Sequence, residues 1–250
     1  MPHAVFRFYA ELNDFLPPAR RQAEFTYTFQ GRVSIKDMIE SLGVPHTEVD
    51  LILANGASVD FDYIVQDDDQ ISVYPVFESL DIAPLVRLHP RPLRESRFVL
   101  DTHLGRLATY LRLLGFDTLY RNDYDDEELA RLSADEKRIL LTKDRGLLKR
   151  RLVTHGYCVR SPDPRQQVKE ILGRFDLYGS VSPFSRCLRC NGLLAPVEKQ
   201  VIAHRLPAHT REDHDEFYRC QVCDRLFWPG SHYDALKNFV TDVLKGDRAH

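Results

Sequence analysis

The chain has 250 residues, 43% of them hydrophobic, 10% aromatic and 28% charged, which is the balance of a folded globular protein and excludes a largely disordered one. No apolar run approaches the roughly 20 residues needed to span a bilayer, and Met1-Pro2-His3-Ala4 carry neither the basic region nor the hydrophobic core of a signal, so a cytoplasmic setting away from membranes is expected. The net charge of −3 hides a division: residues 1–80 hold 5 Lys/Arg against 13 Asp/Glu (−8), while residues 81–250 hold 29 against 24 (+5). Binding of a polyanion such as RNA depends on local positive surface, so it suits the second part, where a solvated surface of mixed sign is the competing explanation. The length predicts more than one domain.

Residues 1–78 read as a small α+β domain. Val5, Phe6, Phe8 and Phe25, Tyr27, Phe29 form two runs of strand character joined through Pro17-Pro18. Ser34 with Asp37 opens a helix whose apolar face is Ile35, Met38, Ile39 and Leu42, and Gly43 can end it before Pro45. Strands are predicted over 50–54 and 70–74, with Asn55-Gly56 as a turn and Asp67-Asp68-Asp69 as a polar loop. The order strand, strand, helix, strand, strand is that of a β-grasp domain. The stretch from Leu53 to Phe77 resembles the ubiquitin-like sulfur carriers, but those end in a free Gly-Gly tail and this chain runs on through Phe77-Glu78-Ser79-Leu80. A docking role with a protein partner is therefore expected, and an interaction module of sulfur-transfer metabolism is one alternative reading. Residues 79–95, with Pro84, Pro90, Pro92 and Arg87, Arg91, Arg94, are predicted to be a linker.

From residue 96 strands and helices alternate: strands at 98–100, 116–120, 138–142 and 157–160, and helices at about 104–114, 126–136, 146–155 and 165–175. This α/β pattern predicts a parallel sheet. Asp101, Asp123, Asp144 and Asp163 follow the four strands, at the carboxyl ends where open α/β sheets build their sites. Carboxylates gathered there repel unless a cation joins them; hard oxygen ligands suit Mg²⁺ or Mn²⁺, and that chemistry fits phosphodiester hydrolysis. Aspartates are also common as turn and cap residues.

Cys187-Leu188-Arg189-Cys190 and Cys220-Gln221-Val222-Cys223 have the ligand count and spacing of a structural zinc site, with disulfides or a redox pair as the rival readings. Phe217, Tyr218, Phe227 and Trp228 surround the second pair beside Arg189, Arg219 and Arg225, and can either fill a small core or stack on bases. His204, His209, His214 and His232 are left out of the coordination, because four thiolates complete a closed site.

Phe98-Val-Leu-Asp101, Leu104-Gly-Arg-Leu-Ala108, Leu111-Arg-Leu-Leu-Gly115-Phe-Asp117, Asp125-Asp-Glu-Glu-Leu129 and Ile139-Leu-Leu-Thr-Lys-Asp-Arg145, followed by Pro183-Phe-Ser-Arg-Cys187, the second cysteine pair and Trp228-Pro-Gly-Ser-His232, carry a further resemblance. Together they resemble the PIN-like ribonuclease domain named after the C-terminal region of the exonuclease Mut-seven, over roughly residues 96 to 235. Bacterial members carry a ubiquitin-like domain in front, matching residues 1–78. The resemblance implies a metal-dependent ribonuclease that hydrolyses RNA phosphodiesters through carboxylate-bound Mg²⁺ or Mn²⁺. It places Asp101 as the first acid and Asp144 as the later one. For the middle acid Asp126 is chosen over Asp125 and Asp123, with an N-cap role as its alternative, and Asp163 can complete the cluster. Arg145, Lys149, Arg150 and Arg151 are expected to hold the RNA backbone, or else to form a solvated helix face. The expected organisation is a β-grasp domain at 1–78, a linker at 79–95, a PIN-like nuclease domain at 96–180, a zinc ribbon at 181–235 and a C-terminal helix or tail at 236–250. A non-catalytic RNA- or ribosome-associated zinc-ribbon adaptor is the principal alternative.

Overall fold

The computed structural model describes residues 1–75, 88 and 96–245; the expected linker, residue 88 apart, lies outside the described residues. Near the N-terminus, β1 (His3–Phe8), β2 (Phe25–Thr28), α1 (Ile35–Ser41), β3 (Val49–Ala54), β4 (Ala57–Val59) and β5 (Asp69–Pro75) form a five-stranded sheet carrying one helix, in the strand order β2-β1-β5-β3-β4. β1 and β5 run parallel and the other neighbours antiparallel. This is the expected β-grasp arrangement. Alternation along β1 buries Ala4, Phe6 and Phe8, and the matching face of α1 buries Ile35, Met38 and Ile39. The Ser34 hydroxyl accepts the Asp37 N–H at 3.1 Å, the predicted helix start. Asn55 and Gly56 both have positive φ (51° and 82°), the conformation a two-residue hairpin needs, and they join β3 to the short strand β4 that periodicity had not revealed. Asp69, expected in a polar loop, instead opens β5 and is buried. Its carboxylate accepts hydrogen bonds from Asn55 Nδ2, Tyr63 Oη and the Gln66 N–H at 2.7–2.9 Å, which makes the burial tolerable.

From residue 96 the elements are β6 (Phe98–Leu100), α2 (Gly105–Leu113), β7 (Thr118–Tyr120), α3 (Asp126–Asp135), β8 (Ile139–Thr142), α4 (Arg145–Leu148), β9 (Gly156–Cys158) and α5 (Pro164–Arg174). β6 pairs with β7, and β8 with β9, each in parallel, as the alternating pattern predicts. The buried Leu104, Leu107, Leu111 and Leu114 form the inner face of the predicted helix. The helix expected over 146–155 is a single turn. Lys149 and Arg150 N–H groups bond three residues back, to Gly146 and Leu147, and Val153 turns inward to lead into β9. Next come β10 (Leu194–Pro196), α6 (Lys199–Ile202), α7 (Ala208–Asp213), β11 (Tyr218–Cys220), β12 (Leu226–Phe227) and α8 (Tyr233–Lys245). β11 is the middle strand of an antiparallel sheet with β10 and β12.

The chain divides into two compact units, residues 1–95 with 124–158, and residues 96–123 with 159–250. The first therefore joins the β-grasp fold to α3, β8, α4 and β9. Within it, fully buried Glu48 accepts the Cys158 N–H at 2.7 Å, and His46 faces Glu40 Oε1 at 2.6 Å and the Val153 carbonyl at 3.0 Å. Glu48→Ala removes the carboxylate that accepts the Cys158 N–H, and should lower unfolding stability by about 1–3 kcal/mol. Urea melts of the full chain check this; an unchanged midpoint would show that Glu48 does not hold β9. Among the described residues, no helix is long and apolar enough to cross a membrane.

Candidate metal centre and carboxylate sites

The four cysteines come together as the spacing predicts. Cys187 and Cys223 sulfurs lie 3.7 Å apart and those of Cys190 and Cys220 3.4 Å apart, with all four within 4.8 Å of one another. Sulfurs bound about 2.3 Å from one tetrahedral ion are separated by about 3.8 Å, so the group fits such an ion. Each Cys-x-x-Cys turn closes through a residue in the left-handed region, Asn191 (φ 71°) after the first and Asp224 (φ 58°) after the second. The Asn191 N–H returns to the Cys187 carbonyl at 2.9 Å and the Asp224 N–H to the Cys220 carbonyl at 3.1 Å. Gly192 is needed between them: a Cβ there would stand 2.9 Å from the Cys220 sulfur and 2.7 Å from a Val222 methyl.

The thiols differ in acidity. Burial pushes Cys187 up and takes Cys190 to about 12, whereas at Cys220 burial is outweighed by hydrogen bonds from the Cys223 and Val222 N–H groups, which lower it to about 7. Backbone N–H groups aimed at a sulfur stabilise the thiolate, the form that binds a metal. No histidine joins the group among the described residues.

Sequence reasoning missed what anchors this centre. Buried Arg112 on α2 donates from Nε to the Thr118 carbonyl and from Nη1 to the carbonyls of Leu188 and Arg189 inside the first cysteine turn, at 2.9–3.1 Å. The Asn191 side chain accepts the Thr118 N–H at 3.0 Å and donates to Asp117 at 2.8 Å, and Arg186 donates to the Gly115 carbonyl at 3.0 Å. The first cysteine turn is thus fixed to the α2–β7 connection. A buried arginine interrupting an apolar helix face was the available signal.

The carboxylates have more varied surroundings. In the unit containing β6 and β7, Asp101 and Asp123 follow neighbouring parallel strands and so share one sheet edge. Asp101 is only 9% exposed, accepts the Thr102 hydroxyl at 3.1 Å, and makes no side-chain cap to the turn it precedes. Exposed Asp123 is gripped by Arg121 through Nε and Nη2 at 2.9 and 2.6 Å, a hydrogen-bonded ion pair that holds its carboxyl below the usual range. Asp163 caps α5 by accepting the Gln166 N–H at 3.3 Å. In the other unit, Asp125 caps α3 through the Glu128 N–H at 2.7 Å. The cap weighed for Asp126 thus belongs to its neighbour, and Asp126 sits in the first helical turn, 3.2 Å from Arg150. Asp144 follows β8 and caps α4 by accepting the Gly146 N–H at 2.6 Å.

Of the basic residues expected to face RNA, Arg145 lies over the Phe15 ring and donates to the carbonyls of Phe15 and Asp14, while Lys149 donates to the Glu40 carbonyl at 2.5 Å. Both are thus engaged by the β-grasp fold. Arg150 pairs with Asp126, and Arg151 is exposed.

The aromatics divide between the two readings. Phe217 is buried in a small core with Ile202 and Leu206, against which Val197, Leu226 and Trp228 pack. Tyr218, Phe227 and Trp228 also line a cavity of about 860 Å³.

Comparison with known proteins gives two family matches. The model of the Mut7-C RNAse domain matches residues 96–240, and that of the Mut7-C ubiquitin domain matches residues 1–81. No curated protein and no solved structure matches the chain.

Proposed function

The chain belongs to the Mut7-C RNAse domain family, and from that premise we propose that it is a metal-dependent ribonuclease whose carboxylates include Asp101, Asp126 and Asp144. The observation that carries this reading is Asp101, a nearly buried carboxylate that directly follows β6 at the carboxyl end of the strand, inside the matched segment. The donor set consists of carboxylate oxygens, which suits Mg²⁺ or Mn²⁺. A bound cation of this kind would acidify the attacking water and stabilise charge on the leaving oxygen. Asp101 and Asp144 are assigned as the holding carboxylates, with Asp126 the third and Asp125, Asp123 and Asp163 in supporting or structural roles. Arg150 is suited to orient Asp126, and Arg151 to meet the RNA backbone. The four cysteines are assigned to one structural Zn²⁺, since all ligand positions are filled by sulfur and none is left for substrate.

The proposed organisation keeps a ubiquitin-like domain at 1–78, a linker at 79–95, a nuclease domain at 96–180, a zinc ribbon at 181–235 and a C-terminal helix with its tail at 236–250. A cytoplasmic setting and a protein partner for the ubiquitin-like domain belong to the same reading. One observation favours the non-catalytic adaptor: Asp125, Asp144 and Asp163 all serve as helix caps. The two separate on one experiment, in which the wild type and Asp101→Asn, purified in parallel, receive labelled single-stranded RNA with Mg²⁺ or Mn²⁺. Cleavage by the wild type alone supports the nuclease; RNA binding without cleavage by either supports the adaptor.

A further inference from the structure

Five aromatic side chains, Phe184, Tyr218, Phe227, Trp228 and Tyr233, line the cavity of about 860 Å³. Its volume lies within the roughly 300–1,000 Å³ of sites that enclose organic ligands. Tyr218 and Phe227 are directly opposed in the β11–β12 ladder, and the Phe184 and Tyr233 rings meet at 4.8 Å. Tyr218 is 38% exposed, so its ring is not needed to close the small core beneath it, a task that falls to Phe217. The Trp228-Pro-Gly-Ser-His232 turn sets the indole in place: the Gly230 N–H bonds the Trp228 carbonyl at 2.9 Å, and a Cβ at Gly230 would stand 3.1 Å from the indole nitrogen.

The polar lining offers hydrogen-bonding groups: His209, His214, His232 and Glu216 line the cavity, with Arg186, whose guanidinium also donates to the Gly115 and Asn191 carbonyls. Aromatic faces beside imidazole ring nitrogens match a ligand with flat rings and hydrogen-bonding edges, and within a nucleic acid both faces of a base are accessible where it is unpaired, as in a single strand. We propose that this cavity binds unpaired bases of single-stranded RNA, with Tyr218 and Trp228 as the stacking platform. The choice of RNA over a free nucleotide rests on the ribonuclease reading; the stacking chemistry does not.

Trp228 is the single tryptophan of the chain, so its fluorescence reports on the cavity directly. The full-length protein is titrated with a short nuclease-resistant 2′-O-methyl RNA, following Trp228 emission and the anisotropy of a labelled copy. Saturable quenching is expected to accompany binding. Tyr218→Leu should weaken affinity about tenfold, and Tyr218→Phe, which keeps the ring, should stay near wild type. Zinc content measured on each variant shows whether the ribbon is intact, and the Phe variant identifies the ring as the cause if the Leu variant proves unstable. RNA binding with unchanged Trp228 emission, no binding at all, or adenosine monophosphate binding as tightly as the oligomer would each overturn the proposal. Quenching without cleavage of unmodified RNA would remove the nuclease and keep the cavity, whereas cleavage without quenching would do the reverse.

Discussion

Asp144→Asn is expected to reduce RNA cleavage at least about a hundredfold while leaving the melting temperature almost unchanged. The two effects separate because Asp144 has two tasks. As the cap of α4 it accepts the Gly146 N–H at 2.6 Å, and an asparagine oxygen accepts the same bond with similar preference. As a proposed metal ligand it supplies a negative charge, which asparagine lacks, and loss of one strong electrostatic contact in a reaction centre commonly costs about 10²–10³ in rate. Asp144→Ala should lose both. A protein that melts normally and cleaves at the wild-type rate as Asp144→Asn would remove this residue from catalysis and leave it as a cap alone.

Cys220→Ser should have the largest effect on stability. Structural zinc contributes about 10–16 kcal/mol of apparent binding energy in small zinc-dependent folds, and the core of Ile202, Leu206 and Phe217 is too small to replace it. The Cys220 thiol is also lowered to about 7, because the backbone N–H groups of Val222 and Cys223 point at its sulfur. The variant is expected to purify with far less than the roughly one equivalent of zinc of the wild type and to lose the protease resistance of residues 181–235. With Cys187 and Cys190 pushed up, protons compete for those thiols across the neutral range, and zinc affinity should fall more steeply once the pH drops through about 7, where Cys220 joins them. Wild-type protein freshly purified without bound zinc would contradict the assignment.

Local signals in the sequence were faithful where the structure is local. Two Cys-x-x-Cys turns describe their own geometry, Ser34 and Asp37 mark a helix start, and the leucines from Leu104 to Leu114 mark a buried face. Features that depend on partners far away in the chain carry no local signal. Lys149 and Arg145 look like a basic helix face until Glu40 and Phe15, 109 and 130 residues earlier, supply the carbonyls they bind. Nothing near Glu48 in the sequence marks it as buried, yet it lies against the N–H of Cys158, 110 residues away. Arg112 stands in the sequence only as an arginine among the leucines of its helix, and its role as a clamp on the first cysteine turn comes from carbonyls 76 and 77 residues further on. At the acids, adjacent Asp125 and Asp126 offered equal cap chemistry, and only the backbone path into α3 separates their tasks. The aromatics near the second cysteine pair likewise required the fold to divide them between core and cavity.

The most direct test of the central claim is a time course of single-stranded RNA cleavage by the purified full-length chain. Mn²⁺ is present from the start, and it is removed midway by rapid desalting and later restored. Cleavage that begins with the cation, stops on its removal and resumes on its return, while the zinc content of the protein stays at about one equivalent, is the expected result. Cleavage that continues unchanged after the cation is removed, or no cleavage with either Mn²⁺ or Mg²⁺ while the RNA remains bound, would contradict a metal-dependent ribonuclease.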